Sequence, residues 1–371
     1  MILKNALVVD ERFQTIRADI GVQNGLIAAI GELHGGNELD LTGQTILPGF
    51  IDIHTHGALL ADCSSGQAKD IQTVSRHLAA HGVTSFCPTT MTLPPEALQN
   101  AFTAIRACMG REEGAYIHGV NMEGPYISYE KKGAQAAEHI RRPDVEEFRR
   151  LNELCPVCLV DLAPEVEGAP DFAEEAAKTC TVSAAHTAAG YEQAAAGFAH
   201  GFTHATHLFN AMTPIKNREP GVPTAVFDSD TVTAELICDG FHNHPAVLRM
   251  AFRLLGSDRP VVVSDAMMAA GAGDGEYTLG GQTVFVRNGK ATLADGTIAA
   301  STTNLFDEYK NLLRFGVDPQ QALRACTINP ARAIGADKAT GSIAVGKRAD
   351  LIAVNEKLEL TAVFIRGERH K

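Results

Sequence analysis

Short apolar runs that stop abruptly at a polar residue recur along the middle of this chain. They end near His56, Thr89, Glu123, Glu165, His186, His207, Asp239 and Asp265. Between most of them lie stretches with apolar residues at helical spacing, over 71–80, 95–108, 145–154, 172–178, 192–199 and 246–255. A short apolar run bounded by polar ends fits a strand buried on both faces, whereas spacings of three and four fit one face of a helix. Eight strand ends alternating with helices predict a parallel (β/α)8 barrel. The two ends of the chain have a different character. Residues 2–9, 16–22 and 26–30 read as short strands with turns at Asn24-Gly25 and Gly35-Gly36, and 349–354 and 360–365 read the same way. They predict a small β-sandwich built from both termini, 1–48 with 337–371, beside the barrel at 49–336. Residues 277–297 interrupt the alternation with a hairpin pattern around Asn288-Gly289, ahead of a last helix at 305–315.

In such a barrel the active site lies at the C-terminal ends of the strands, so the residues that close the runs share one place. Pro48-Gly49-Phe50-Ile51-Asp52-Ile53-His54-Thr55-His56-Gly57 closes on two histidines two residues apart. Residues i and i+2 of a strand share a face, so both imidazoles project together, a pose suited to a divalent metal. Alone, the pair is weak evidence, because two hydrogen-bonded histidines are the commoner case. Glu123, His186 and His207 close three further runs. For any one of them a hydrogen-bonded core or rim residue is the commoner reading. Together they form the three-ligand set of a catalytic zinc site with one coordination position open. His54 and His56 could hold a second ion, with Glu123 able to bridge. Asp265 closes the eighth run, where a carboxylate can take a proton from water and later return it to a leaving group. An N-cap or a buried ion pair is its plainer alternative. Arg218 follows a Gly- and Pro-rich loop and could pair with a phosphate, although a solvated loop arginine fits as well. His200, His204 and His244 carry no comparable argument.

Composition removes several function classes. The 371 residues are 45% hydrophobic, enough for a large core. The net charge is -12 without a Lys/Arg cluster, which argues against nucleic acid or an anionic membrane as partner. No apolar segment reaches spanning length, and the N-terminal apolar stretch is too short for a signal peptide. Eight scattered cysteines predict free thiols in a reducing compartment, hence a cytoplasmic protein. Cys155-Pro156-Val157-Cys158 has C-x-x-C spacing but no second pair to complete a zinc site.

Several motifs carry a family resemblance: Pro48-Gly49-Phe50-Ile51-Asp52, Met122-Glu123-Gly124-Pro125, Leu162-Ala163-Pro164-Glu165, Thr206-His207-Leu208-Phe209-Asn210-Ala211-Met212, Arg218-Glu219-Pro220-Gly221, Asp239-Gly240-Phe241-His242 and Ser264-Asp265-Ala266. Over nearly its whole length the chain resembles the amidohydrolase superfamily, and within it the N-acetylglucosamine-6-phosphate deacetylases. The resemblance implies Glu123, His186 and His207 as principal metal ligands and Asp265 as general base and acid. It implies substrate contacts from His242, Asn210 and Ala211, and a phosphate contact from Arg218 supplied by the neighbouring subunit of a homodimer. The expected cofactor is a divalent metal, zinc first, with iron, manganese or cobalt as alternatives, at one or two ions per subunit. The implied reaction is hydrolysis of the acetamide of N-acetylglucosamine 6-phosphate to glucosamine 6-phosphate and acetate. Alternatives are the N-acetylgalactosamine 6-phosphate epimer, another small amide, or a scaffold without catalysis. Two positions depart from the family pattern. Gln135 stands where many members carry a histidine held to polarise the amide carbonyl; glutamine can donate a hydrogen bond there but cannot become cationic. Ala300 replaces a glycine in Ile298-Ala299-Ala300-Ser301, where it narrows a close backbone approach.

Overall fold

A computed structural model describes residues 1–371. Eight parallel strands form the barrel: β1 Phe50–Thr55, β2 Val83–Thr90, β3 Val120–Glu123, β4 Val157–Leu162, β5 Thr181–Ala184, β6 Phe202–Ala205, β7 Thr233–Leu236 and β8 Pro260–Val262. Each pairs with the next in sequence, and a short strand Tyr116–Ile117 adds to the edge of β2. Every residue of β1 and β2 is buried, because helices cover one face and the barrel interior fills the other. The barrel closes between β8 and β1 through side chains and backbone bonds just past the strand ends, where the His56 and Gly57 N–H groups donate to Ala266 O at 2.8 and 2.9 Å. Asp52 accepts from the Ser264 hydroxyl at 2.6 Å and its N–H at 3.2 Å, and the Asp265 N–H donates to the His54 carbonyl at 2.9 Å.

The helices follow the spacing that predicts them. Pro95–Cys108 and Val145–Leu154 span the expected residues, the first with proline in its opening turn, the second with Asp144 accepting from the Glu146 and Glu147 N–H groups. Two helices lie beyond the one expected to be last, Pro319–Cys326 and Ile328–Ala333, and Val222–Asp228 is also helical. At six to eight residues these are too short for periodicity to show. The Asp318 cap before Pro319 was their readable sign.

The small unit is a pair of sheets. One has the order Leu26–Gly31, Asp19–Gln23, Ile2–Lys4, Glu38–Asp40; the other runs Glu368–Arg369, Leu360–Ile365, Leu351–Val354, Thr45–Pro48, Leu7–Val9, Thr15–Arg17. The chain ends meet where Leu351–Val354 pairs antiparallel with Thr45–Pro48. The strand expected over 2–9 is divided. Asn5 adopts φ 63°, its N–H goes to Asp19, and the flanking halves enter different sheets. Leu3, Val8, Ile20, Ile46 and Phe364 fill the space between them. The hairpin around Asn288-Gly289 is part of a three-stranded sheet, Gly275–Leu279, Gln282–Arg287 and Lys290–Thr292. Its first strand is mostly exposed, so it lacks an apolar alternation to betray it. The sheet packs Leu279, Val284 and Val286 against Met91, Ala134 and Met267 at the barrel mouth. No helix is long and apolar enough to cross a membrane.

Candidate active site

Three of the residues that close the barrel strands sit in strained backbone. His186 has φ 44°, His207 φ 32° and Asp265 φ 45°, the left-handed region that non-glycine residues seldom occupy. Each such residue costs about 1–3 kcal/mol and persists only where its surroundings over-determine it. Here those surroundings are backbone bonds: Ser128 N–H to His186 O at 2.9 Å, and Ser301 N–H to Asp265 O at 2.7 Å. The kinks lie just past the C-terminal ends of β5, β6 and β8.

Four imidazoles and Glu123 converge there. Every Nδ1 is committed to an oxygen that can only accept: His186 to Lys131 O at 2.8 Å, His207 to Asn210 O at 3.1 Å, His56 to Thr89 O at 3.3 Å, and His54 to Glu235 Oε2 at 2.9 Å. These partners place a proton on Nδ1 and leave each Nε2 facing inward, able to offer its lone pair to a cation when one is bound. The His186 and His207 Nε2 atoms lie 3.2 Å apart, and Glu123 Oε1 stands 3.1 and 3.3 Å from them. The His54 and His56 Nε2 atoms are 3.3 Å apart, with Glu123 oxygens at 3.5 and 3.4 Å. Lone pairs pointed at one another repel unless a cation lies between them. Two nitrogens bound tetrahedrally to zinc are separated by about 3.3 Å, so the donor set fits a divalent metal in both spacing and protonation. Both triads, Glu123 with His186 and His207, and Glu123 with His54 and His56, are buried.

The charges of the cluster answer one another. Burial opposes ionisation of Glu123, but His54 and the hydrogen bonds from His186 and His207 outweigh it and hold the carboxyl well below its usual range. Asp265 behaves alike: burial raises its pKa, and the bond to His56 with the nearby His54 lowers it overall. Burial works against charge on His56, yet Asp265 and Glu123 carry its pKa up to about 9. With no ion between them, protons are what the carboxylates attract.

Above the cluster opens a cavity of about 310 Å³, which His56, Glu123, Gln135, His186, His207, Asn210, Ala211, His242 and Asp265 help to line. His54 lies beneath it, fully buried. His242 gives its Nδ1 proton to Asp239 at 2.8 Å, which leaves Nε2 as an acceptor. The Asn210 amide turns back onto the carbonyls of His207 and Leu208, and Ala211 has φ 50°. Gln135 hydrogen-bonds Glu123 and Thr92. Arg218 is not at this cavity; it sits exposed in the loop 213–221.

Glu235 escaped the reading of the sequence. It is wholly buried on β7, accepts from His54 Nδ1 and from the His207 N–H at 3.1 Å, and stands 3.4 Å from His204 Nε2. A glutamate inside the apolar run 234–238 was its signal, since such a residue is seldom fully buried without a partner. His54 is that partner, and His204, which carried no argument in the sequence, stands beside it.

The chain is similar to known proteins over nearly its whole length. Residues 45–369 match the amidohydrolase family. The N-acetylglucosamine-6-phosphate deacetylase of Bacillus subtilis is 32% identical across 99% of this chain and 96% of its own length. The N-acetylgalactosamine-6-phosphate deacetylase of Escherichia coli O157:H7 is 33% identical across 94% and 93%. A mutant N-acetyl-D-glucosamine-6-phosphate deacetylase from Mycobacterium smegmatis, solved in complex with N-acetyl-D-glucosamine-6-phosphate, superposes with a TM-score of 0.93 at 30% identity, covering 100% of this chain and 99% of that one. The chain belongs to the amidohydrolase family.

Proposed function

We propose that this protein is a metal-dependent deacetylase that hydrolyses the acetamide of N-acetylglucosamine 6-phosphate to glucosamine 6-phosphate and acetate. The observation that carries the reading is the set of four inward Nε2 atoms around Glu123, with Asp265 beside them on the cavity wall. Glu123, His186 and His207 would hold the principal ion, zinc before iron, manganese or cobalt. A divalent ion there supplies Lewis acidity toward the amide carbonyl and makes water nucleophilic near neutral pH. Asp265 takes the proton from the attacking water and passes it to the departing amine. His242 Nε2 is free to accept from a sugar hydroxyl. The backbone at Asn210-Ala211 and an Arg218 from the neighbouring subunit of a homodimer bind the phosphate, whose remote binding energy positions the amide. Eight unpaired cysteines support a reducing, cytoplasmic setting.

Acetate release from N-acetylglucosamine 6-phosphate, measured beside its galactosamine epimer and the unphosphorylated sugar, tests the reading. Removing the phosphate should cost about 10² or more in kcat/KM, the scale of a lost charge-assisted clamp. Equal rates on all three sugars would end the phosphate argument. The galactosamine epimer is the second reading, because a relative named for it matches nearly the full chain.

Two further expectations concern the second ion and the dimer. Zinc titration should show two binding events in the parent, and the weaker one should vanish in His54→Asn/His56→Asn while the stronger remains. Glu235→Gln should weaken the same event by roughly 10–100-fold, the usual effect of altering the group that orients a ligating histidine. One event of unchanged affinity in every variant would refute the second position. Separately, mixing inactive Arg218→Ala with inactive Asp265→Asn subunits should regain activity in hybrid dimers. Hybrids without activity would place Arg218 at its own subunit's site or at none.

A further inference from the structure

The strand-end residues leave one polar group at the centre unexplained. Gln135 is 2% exposed, and every hydrogen-bonding atom of its amide is in use. Oε1 accepts from the Thr92 N–H at 2.7 Å. Nε2 donates to Glu123 Oε2 at 2.5 Å, and it also faces Met91 Sδ at 3.8 Å. The backbone holds it there. The Gln135 N–H closes a turn onto Lys132 O at 2.9 Å, and Gln282 reaches across from the three-stranded sheet to Ala134 O at 2.5 Å.

We infer that Gln135 is a positioning residue for Glu123, not the group that polarises the substrate carbonyl. Glu123 has two oxygens and two sets of neighbours. Oε1 faces His186 and His207 at 3.1 and 3.3 Å with His54 farther at 3.5 Å, while Oε2 faces Gln135 at 2.5 Å with His56 at 3.4 Å. Tethering Oε2 removes rotation of the carboxylate about its last bond and keeps Oε1 directed at the two imidazoles. To reach a carbonyl over the cluster, the amide would have to abandon a buried carboxylate and leave the Thr92 N–H without a partner. The Thr92 N–H is wholly buried, so losing this partner is a full desolvation penalty. Glutamine also suits the task chemically: it donates without bringing a positive charge to compete for the carboxylate that a cation must share.

This inference rests on Glu123 holding the principal ion. The test is zinc affinity by competition with a chromophoric chelator, in the parent, Gln135→Met, Gln135→Glu and His207→Ala. Methionine keeps the length and supplies no donor. Glutamate keeps the acceptor for Thr92 and sets a second carboxylate against Glu123. We expect Gln135→Met to bind the tighter zinc roughly 10–100-fold more weakly, and Gln135→Glu to be weakened as well. Activity lost at limiting zinc should climb back toward the parent's as zinc is raised. Unchanged zinc affinity with turnover depressed even at saturating zinc would overturn the inference and return Gln135 to the substrate carbonyl. Parent-like zinc binding in His207→Ala would instead overturn the metal centre itself, and the inference with it. Should Gln135→Met fail to fold, Gln135→Glu decides by the same two readouts.

Discussion

Asp265→Asn protein should fold, keep the principal metal of the parent, and turn over at least about 10²-fold more slowly, the scale of losing a general base. The fold survives because asparagine tolerates the left-handed backbone that position 265 adopts, at φ 45°. The backbone bonds that hold the position, Asp265 N–H to His54 O and Ser301 N–H to Asp265 O, do not involve the side chain. The metal survives because Asp265 is not among the atoms of the Glu123, His186 and His207 triad. What is lost is the ability to receive a proton. Asp265 lies 3.3 Å from His56 Nε2, and its carboxyl is held below the usual range, so it enters the reaction ionised. Metal content by elemental analysis, thermal melting and single-turnover acetate release would be measured on one preparation. Parent-level turnover would move the base elsewhere. Loss of the metal together with activity would make Asp265 a ligand.

His207→Ala should lose the principal metal and at least about 10³-fold in activity, because a catalytic ion needs three protein ligands and only Glu123 and His186 remain. The metal-free protein should lose some stability, because His207 is buried and bonds Glu123 at 3.3 Å and Asn210 O at 3.1 Å, while alanine at φ 32° is no more strained than the histidine it replaces. The contrast with zinc present is the informative measurement. An ion that binds only the folded state adds about 2.7 kcal/mol at a hundred times its Kd, so added zinc should raise the melting temperature of the parent and leave that of His207→Ala nearly unmoved. His186→Ala should repeat the pattern. Equal zinc-induced shifts in parent and variant would remove His207 from the site.

Much of this architecture is a local property of the chain. Runs such as 120–123 and 181–186 are short, apolar and closed by a polar residue, and that is enough to mark buried strands and their mouth-side ends. Helices such as Pro95–Cys108 carry several turns of periodicity and a proline in the opening turn, so their limits are written in adjacent residues. The His54 and His56 pair shares a face because of a two-residue period that no tertiary contact has to supply. The pairing of Leu351–Val354 with Thr45–Pro48 is harder, yet strand character at both termini foretold a joint unit.

What only the tertiary structure decided is which atoms meet, and so what each histidine nitrogen can do. His54 takes its tautomer from Glu235, 181 residues away, and His186 takes its own from Lys131 O, 55 residues away. A proton's position on an imidazole depends on the partner of the other nitrogen, and nothing in local spacing names that partner. Gln135 likewise looks like a carbonyl donor in the sequence and turns out to be engaged by Glu123 and Thr92 once β2, β3 and the 129–139 loop are packed together. The division of 2–9 between two sheets and the helices of six to eight residues follow the same logic. Periodicity is a property of neighbours along the chain, whereas sheet membership, tautomer and lone-pair direction are set by neighbours in space.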